Sequence, residues 1–301
     1  MSWTEVRVPA TSANLGPGFD ALGMALSIYL TCRFRPSDRL IIRTGGRDAA
    51  MIPATADNLI WQTALRVGLD VDRPMPAVEL EIDNDIPIGK GLGSSAAALT
   101  AGVVIAREIL GLEWDAHKIL DEAARIEGHP DNVSACVLGS ICASAIDDEG
   151  ITRAVRMQLP ARYAVAIIVP DFILPTSEAR AALPLSYSRA DAVFNVQRSA
   201  LLIAALLTAT TDAFSAALAD RLHQPYRERL VPGLPEMLRL RRPGLLGCAL
   251  SGAGPSVLVF YERGSEHVCE DMRAIFKKHG HESETLWANI PDHGYDLLHG
   301  L

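Results

Sequence analysis

No C-x-x-C pair occurs in the chain, and its five cysteines (Cys32, Cys136, Cys142, Cys248, Cys269) are odd in number. A disulfide framework is therefore not expected, and the thiols read as small buried hydrophobes in a reduced compartment. An excess of positive charge is missing too. The 28 Lys and Arg against 36 Asp and Glu leave a formal net charge of −8, which argues against non-specific nucleic-acid binding and leaves room only for a local basic pocket. The opening MSWTEVRVPAT lacks the basic-then-apolar order of an export signal. The longest apolar helix candidate, SALLIAALLTATT (Ser199–Thr211), lies between Arg198 and Asp212 and is too short to span a bilayer. A cytoplasmic protein is expected. Internal repeats and low-complexity segments are also absent. At 49% hydrophobic and 21% charged over 301 residues, the chain can bury the core of one large domain or two ordinary ones.

Strands are expected at EVRVPAT, SIYLTCRFRP, RLIIRTGG and AVELEIDNDIP. ADNLIWQTALRVGLDV carries apolar residues at helical spacing, with Asp57 placed to cap it, and EWDAHKILDEAARIEG is a helix ending at Gly128. NVSACVLGSICASAI is small, apolar and hence buried, and RYAVAIIVPD begins a new run of structure, with helices expected around Asp191–Thr211 and Ala213–Leu222. A boundary near Ala154 divides the chain into domains 1–154 and 155–301. Strands and helices mix without regular βαβ alternation, which favours α+β layers over a doubly wound sheet.

One stretch has more glycine than a helix start needs: DIPIGKGLGSSAAALTAGVVIARE, from Asp85 to Glu108, places Gly89, Gly91 and Gly93 directly before an apolar helix. Glycine is tolerated where the backbone takes unusual angles or approaches a ligand closely. A glycine loop opening onto a helix turns several amides one way and adds the positive end of the helix dipole, a site for phosphate. Neither familiar fingerprint fits: Lys90 is followed by Gly91 rather than Ser or Thr, and the glycine spacing is not G-x-G-x-x-G. Tight helix packing remains an alternative for the small residues. Two further turns touch strand ends, PATSANLGPGFDALG (Pro9–Gly23) and LSGAGPSVLVF (Leu250–Phe260). Three such loops in one chain suggest convergence on one ligand.

Together PIGKGLGSSAA, PATSANLGPGFDALG and LSGAGPSVLVF resemble the three motifs of the GHMP kinases. The first of them, with EGHPDN (Glu127–Asn132), resembles the homoserine-phosphorylating branch in particular. The resemblance runs along nearly the whole chain. It implies an ATP- and Mg²⁺-dependent phosphorylation of L-homoserine on the route to threonine. It also implies an α+β fold of two domains, the first like ribosomal protein S5 domain 2 and the second ferredoxin-like, and a homodimer.

Carried over residue by residue, the resemblance implies that Ile88, Gly89, Lys90, Gly91, Leu92, Gly93, Ser94, Ser95 and Ala96 wrap the ATP phosphates. Lys90 either adds charge there or is a solvated loop lysine. Ser95, or Ser94, would ligate Mg²⁺ with Glu127. Asn58 would lie on the adenine side, or serve only as a helix start. A substrate carboxylate favours an arginine clamp. Thr176, Arg180 and Arg227 match substrate positions, and Arg229 is the rival to Arg227. Asp20 would take the ammonium, or merely stabilise its turn. Asn14, His129 and Gly252 complete the acceptor side. Where some GHMP kinases place an aspartate base, this chain has Asn132. Direct attack by a hydroxyl oriented by Asn132 is expected, with Asp131 pointing elsewhere. A mevalonate- or shikimate-type kinase, a non-catalytic sensor on the same fold and an RNA-binding protein are the alternatives. Glu127, Ser94 and Ser95 weigh against the sensor, and the acidic balance against RNA.

Overall fold

The computed structural model describes residues 2–300. Its strands are β1 (Thr4–Ala13), β2 (Leu22–Pro36), β3 (Ile41–Gly46), β4 (Val78–Asn84), β5 (Ile141–Ile146), β6 (Thr152–Met157), β7 (Tyr163–Pro170), β8 (Leu245–Leu250), β9 (Val257–Glu262), β10 (Ser283–Ala288) and β11 (Asp296–His299). Its α-helices are α1 (Leu59–Asp70), α2 (Ser94–Leu110), α3 (Ala116–Glu127), α4 (Asp131–Leu138), α5 (Thr176–Ala181), α6 (Arg189–Thr208), α7 (Thr211–Ala217), α8 (Gln224–Arg227), α9 (Leu234–Arg239) and α10 (Val268–Lys278).

Two sheets organise the chain. The first has the order β11-β1-β2-β4-β3, with β5 on β2 and β6 on β5; β3 and β4 run parallel. The second, β10-β7-β9-β8, is antiparallel throughout. Its chain order, strand, helices, hairpin, helix, strand, is that of a ferredoxin-like layer. The mixed α+β class is as expected. The change from one sheet to the other falls between Met157 and Tyr163, because β6 still pairs with β5 and β11 returns to β1. A division at 154 and 155 therefore falls inside β6. The shift in composition at RYAVAIIVPD marks the start of β7, not the end of the strand before it.

The core explains the elements nearest the site. Helix α2 is apolar on nearly every face because Ala96, Ala97, Ala101, Val103, Val104 and Ala106 are all buried. A side chain at Gly102 would meet the Ile60 carbonyl at 2.6 Å, so α1 and α2 cross at backbone distance. The packing role thus belongs to the small residues of α2, while the glycines before it serve another purpose.

Two local expectations are corrected. The cap of α1 is Asn58, not Asp57: its Oδ1 accepts from the amides of Ile60 and Trp61 at 3.0 and 3.4 Å. The apolar run Ser199–Thr211, expected to be too short to span a bilayer, belongs to helix α6, which Ser188 caps by accepting from the Asp191 amide and which at 20 residues is, by length and composition alone, long enough to span one.

Candidate functional site

Gly89, Gly91 and Gly93 adopt φ of +71°, +75° and +67°, while Lys90 and Leu92 between them do not enter the left-handed region. Alternation of this kind turns successive amides toward one concave side, a nest for anions. The carbonyls are drawn the other way. Gly89 O accepts from the Leu174 amide, Lys90 O from the Ser256 amide, Gly91 O from Ser251 Oγ and Leu92 O from the Thr11 amide, at 2.8–3.3 Å. None of the amides from Gly91 to Ala96 donates to an acceptor among the described residues. A Cβ on Gly91 would stand 2.3 Å from Ser251 O, and one on Gly93 1.9 Å from Thr11 Oγ1. The loop is therefore stitched from behind by three segments distant in sequence, with its amides free in front.

Lys90 does not face that concave side. Its Nζ is buried and donates to Pro170 O and Phe172 O at 2.8 and 2.7 Å, at the end of β7 in the second sheet. Burial lowers its pKa, and the nearby Asp171 and Asp48 oppose that shift. Neither a phosphate ligand nor a solvated lysine, it is a strut between the two layers. Lys90→Met is expected to lower unfolding free energy by about 2 kcal/mol, from charge-assisted hydrogen bonds lost, and to raise the KM for nucleotide while the acceptor KM stays put. Denaturant unfolding and steady-state kinetics check both.

In front of the loop lies a cavity of about 120 Å³ that gathers Asn14, Asp20, Gly89, Gly91, Leu92, Gly93, Ser94, Ser95, Glu127, His129, Asn132, Thr176, Arg180, Arg227 and Gly252. Every expected acceptor-side residue is among them. Arg229 is exposed and not on the wall, so Arg227 is the arginine presented. The adenine-side residues lie next door. Asn58 and Ile88, with Pro53, Ile60 and Ala98, line a mainly apolar cavity of about 260 Å³ that shares Ser94 and Ser95 with the first. The Asn58 amide is committed to its cap and to Pro53 O (2.8 Å), so it shapes this wall rather than reaching into it. Ala96 is buried, and only its backbone belongs to the phosphate side.

The acceptor side carries both charges in separable form. Arg180 Nη2 and Asp20 Oδ1 pair at 3.2 Å, both partly exposed. Asp20 sits at φ 54°, held by its amide donating to Asn14 Oδ1. Asn14 Nδ2 donates to Gly252 O at 2.9 Å. Arg227 is 2% exposed and is fixed by Nε to Ala179 O and Nη1 to Gly252 O, both 3.2 Å. Burial, then the nearby Arg180, lower its pKa to about 10. His223, which the sequence reading passed over, stands behind it. Its ring is fully buried, Nδ1 lies 3.1 Å from Arg227 Nη1 and Nε2 2.7 Å from Gly16 O. Burial lowers the His223 pKa, which keeps a lone pair on Nδ1 for the arginine. Arg227 Nη2 has no hydrogen-bond partner among the described residues, and the residue lines the cavity.

At the other end, Ser95 Oγ and Glu127 Oε2 are 3.5 Å apart. A hydroxyl and a carboxylate are hard oxygen donors of the kind Mg²⁺ takes beside phosphate. Burial, opposed by His129 and helped by Asp131, raises the Glu127 pKa. Asp131 is corrected: it lines the same cavity as Asn132, because its carboxylate folds back onto the first turn of α4. Its Oδ1 accepts from His129 Nδ1 (2.6 Å), Asn132 N (2.7 Å) and Asn132 Nδ2 (3.3 Å). Burial would lower the His129 pKa, but Asp131 and Glu127 outweigh it and the net shift is upward. Thr11, within a quoted motif but given no role, donates from Oγ1 to Asn132 Oδ1 at 2.7 Å. That bond fixes which face of the Asn132 amide carries its N–H groups. Thr11→Val should lower kcat roughly 10-fold with little change in either KM, the signature of lost positioning.

Known proteins match this arrangement. Residues 58–140 match the model of the GHMP kinases N terminal domain, and residues 202–278 that of the GHMP kinases C terminal. The chain is 68% identical over 296 residues to a homoserine kinase of Solibacter usitatus, covering 98% of this chain and 97% of that one. It is 46% identical over 262 residues to a homoserine kinase of Deinococcus radiodurans, covering 86% and 85%. The crystal structure of homoserine kinase from Cytophaga hutchinsonii superimposes with a TM-score of 0.85 at 27% identity, over 99% of this chain and 98% of that one. Matched in both domains and along almost its entire length, the chain belongs to the GHMP kinase family.

Proposed function

We propose that the chain transfers the γ-phosphoryl group of ATP to the hydroxyl of L-homoserine, forming O-phospho-L-homoserine on the route to threonine. The observation that carries this is one cavity lined by a buried arginine, a partly exposed Arg180–Asp20 pair and a row of free loop amides. Homoserine has a carboxylate, an ammonium and a terminal hydroxyl. Arg227, with Arg180, suits the carboxylate, and Asp20 suits the ammonium. Bound substrate would take over the Arg180–Asp20 pair, each end exchanging one opposite charge for another. Mevalonate and shikimate offer no ammonium and would leave Asp20 uncompensated.

The triphosphate lies along the Gly91–Ala96 amides with adenine in the apolar cavity beside Asn58. Ser95 and Glu127 would hold Mg²⁺, which when bound neutralises phosphate charge. The acceptor oxygen, oriented by an N–H of Asn132, attacks the γ-phosphorus in line. The new O–P bond forms as the bond to the β-phosphate bridging oxygen breaks, and ADP leaves. The hydroxyl proton passes to an oxygen of the transferred group. Asp131 is engaged by His129 and Asn132 and serves to hold them. Alignment and charge stabilisation carry the rate.

Five free, buried thiols support a cytoplasmic setting, and the enzyme works there as a homodimer. The two sheets are its two domains, with β11 returning to the first. An ADP-release assay with homoserine, 4-hydroxybutyrate, mevalonate and shikimate tests the substrate. Homoserine should exceed the others in kcat/KM by about 100-fold, since a site built to hydrogen-bond a substrate N–H rejects an analogue that lacks it. Equal turnover of 4-hydroxybutyrate would remove the ammonium site from the account.

A further inference from the structure

Helix α6 buries only Asn195, Leu202, Ala205 and Leu206 of its 20 residues. The buried face has a clear duty: Asn195 Nδ2 and Ser199 Oγ each donate to Pro17 O at 3.0 Å, bracing the loop that carries Asn14 and Asp20. The opposite face is apolar and mostly exposed, with only Ile203 also touching the core. Val193, Val196 and Leu207 are 47%, 69% and 66% exposed, with Ala200 exposed and Ile203 half-buried between them. Their spacing is three, four, three, four, the seam of a coiled coil. The five residues run for about 21 Å along one side of the helix at 1.5 Å per residue.

We propose that this seam pairs with the same seam of a second copy, the two α6 helices antiparallel. The inference rests on the homodimer proposed above and names its surface. A two-fold axis between Ala200 and Ile203 sets Val196 against Leu207 of the other copy and Ala200 against Ile203, so each layer joins a larger residue to a smaller one. The charges agree with this direction. Asp191 is occupied by Arg221 within the chain. Arg189 at the start of the helix and Asp212 just past its end join no ion pair among the described residues. Antiparallel pairing brings Arg189 of one copy to the helix end and Asp212 of the other, and opposes the helix dipoles favourably. A parallel pair would set like charges and like dipole ends side by side.

Light scattering on the full chain, at micromolar concentration, reads the outcome. The wild type should have the mass of two chains, and Val196→Glu with Leu207→Glu the mass of one, with unchanged circular dichroism. Arg189→Asp should weaken association roughly 10-fold and Asp212→Arg, added to it, restore it. A wild-type mass of one chain would contradict the homodimer itself. A wild-type dimer untouched by the double glutamate variant would overturn only this surface, and failure of the charge swap to restore association would overturn the antiparallel direction. Wild-type monomer that co-sediments with phosphatidylglycerol vesicles would assign the stripe to a membrane and overturn the proposal.

Discussion

Glu127→Gln should lower kcat by about 1,000-fold, the scale on which a lost charge-stabilising group acts in a phosphoryl-transfer site, while leaving the fold at least as stable as before. The stability half follows from where the carboxylate sits. Glu127 is the last residue of α3, at the negative end of the helix dipole, and the chain then turns through Gly128 at φ 89°. Asp131 adds a second negative charge nearby, and burial pushes the Glu127 pKa up. Its neighbours are Ser95 Oγ at 3.5 Å and His129 Nε2 at 3.9 Å, neither a strong ion pair. A carboxylate kept in a place that disfavours its charge is a carboxylate awaiting a cation. Neutralising it with an isosteric amide removes repulsion and, on the proposed role, removes a metal ligand together. Thermal unfolding and steady-state turnover of the one variant read the two effects separately. A variant retaining more than a tenth of wild-type kcat would leave Glu127 without its role.

Arg227→Met should raise the homoserine KM by about 100-fold or more, as expected for a truncated buried charge contact, with the nucleotide KM close to that of the wild type. The arginine is 2% exposed, yet it stands on the cavity wall. Three protein groups hold it, Ala179 O, Gly252 O and His223 Nδ1, through Nε and Nη1, and these leave Nη2 without a partner among the described residues. Methionine keeps the apolar stem and loses the donors. It also leaves those three acceptors without their partner, so some loss of stability accompanies the change. The unchanged nucleotide KM is what separates a lost clamp from a damaged fold. A rise shared equally by both substrates would point to the damage.

The features legible in the sequence were those whose cause is local. Gly89, Gly91 and Gly93 stand at left-handed positions, as a run of glycines before a helix suggests. Gly128 ends α3, and the alternation of β1 is read directly from Val6, Arg7 and Val8. The residues that the motif resemblance assigns to the acceptor side line one cavity. What stayed hidden depends on partners far along the chain. Lys90 takes its role from carbonyls 80 and 82 residues away. Thr11 meets Asn132 across 121 residues, and His223 meets Gly16 across 207. Asp131 was expected to point away from Asn132 because consecutive residues seldom point the same way. At the start of a helix its side chain instead returns to the adjacent amide. Helix α6 forms over Arg189–Thr208 where a helix around Asp191–Thr211 was expected; only its apolar second half was weighed as a membrane span, because its first turns, RADAVFNVQR, are polar.

A crystal structure of the chain with L-homoserine and a non-hydrolysable ATP analogue tests the central claim most directly. The account predicts β- and γ-phosphate oxygens within hydrogen-bond distance of amides between Gly91 and Ala96, and the homoserine carboxylate on Arg227 with its hydroxyl beside Asn132. A nucleotide bound elsewhere, with those amides turned to solvent and the acceptor cavity empty, would contradict it.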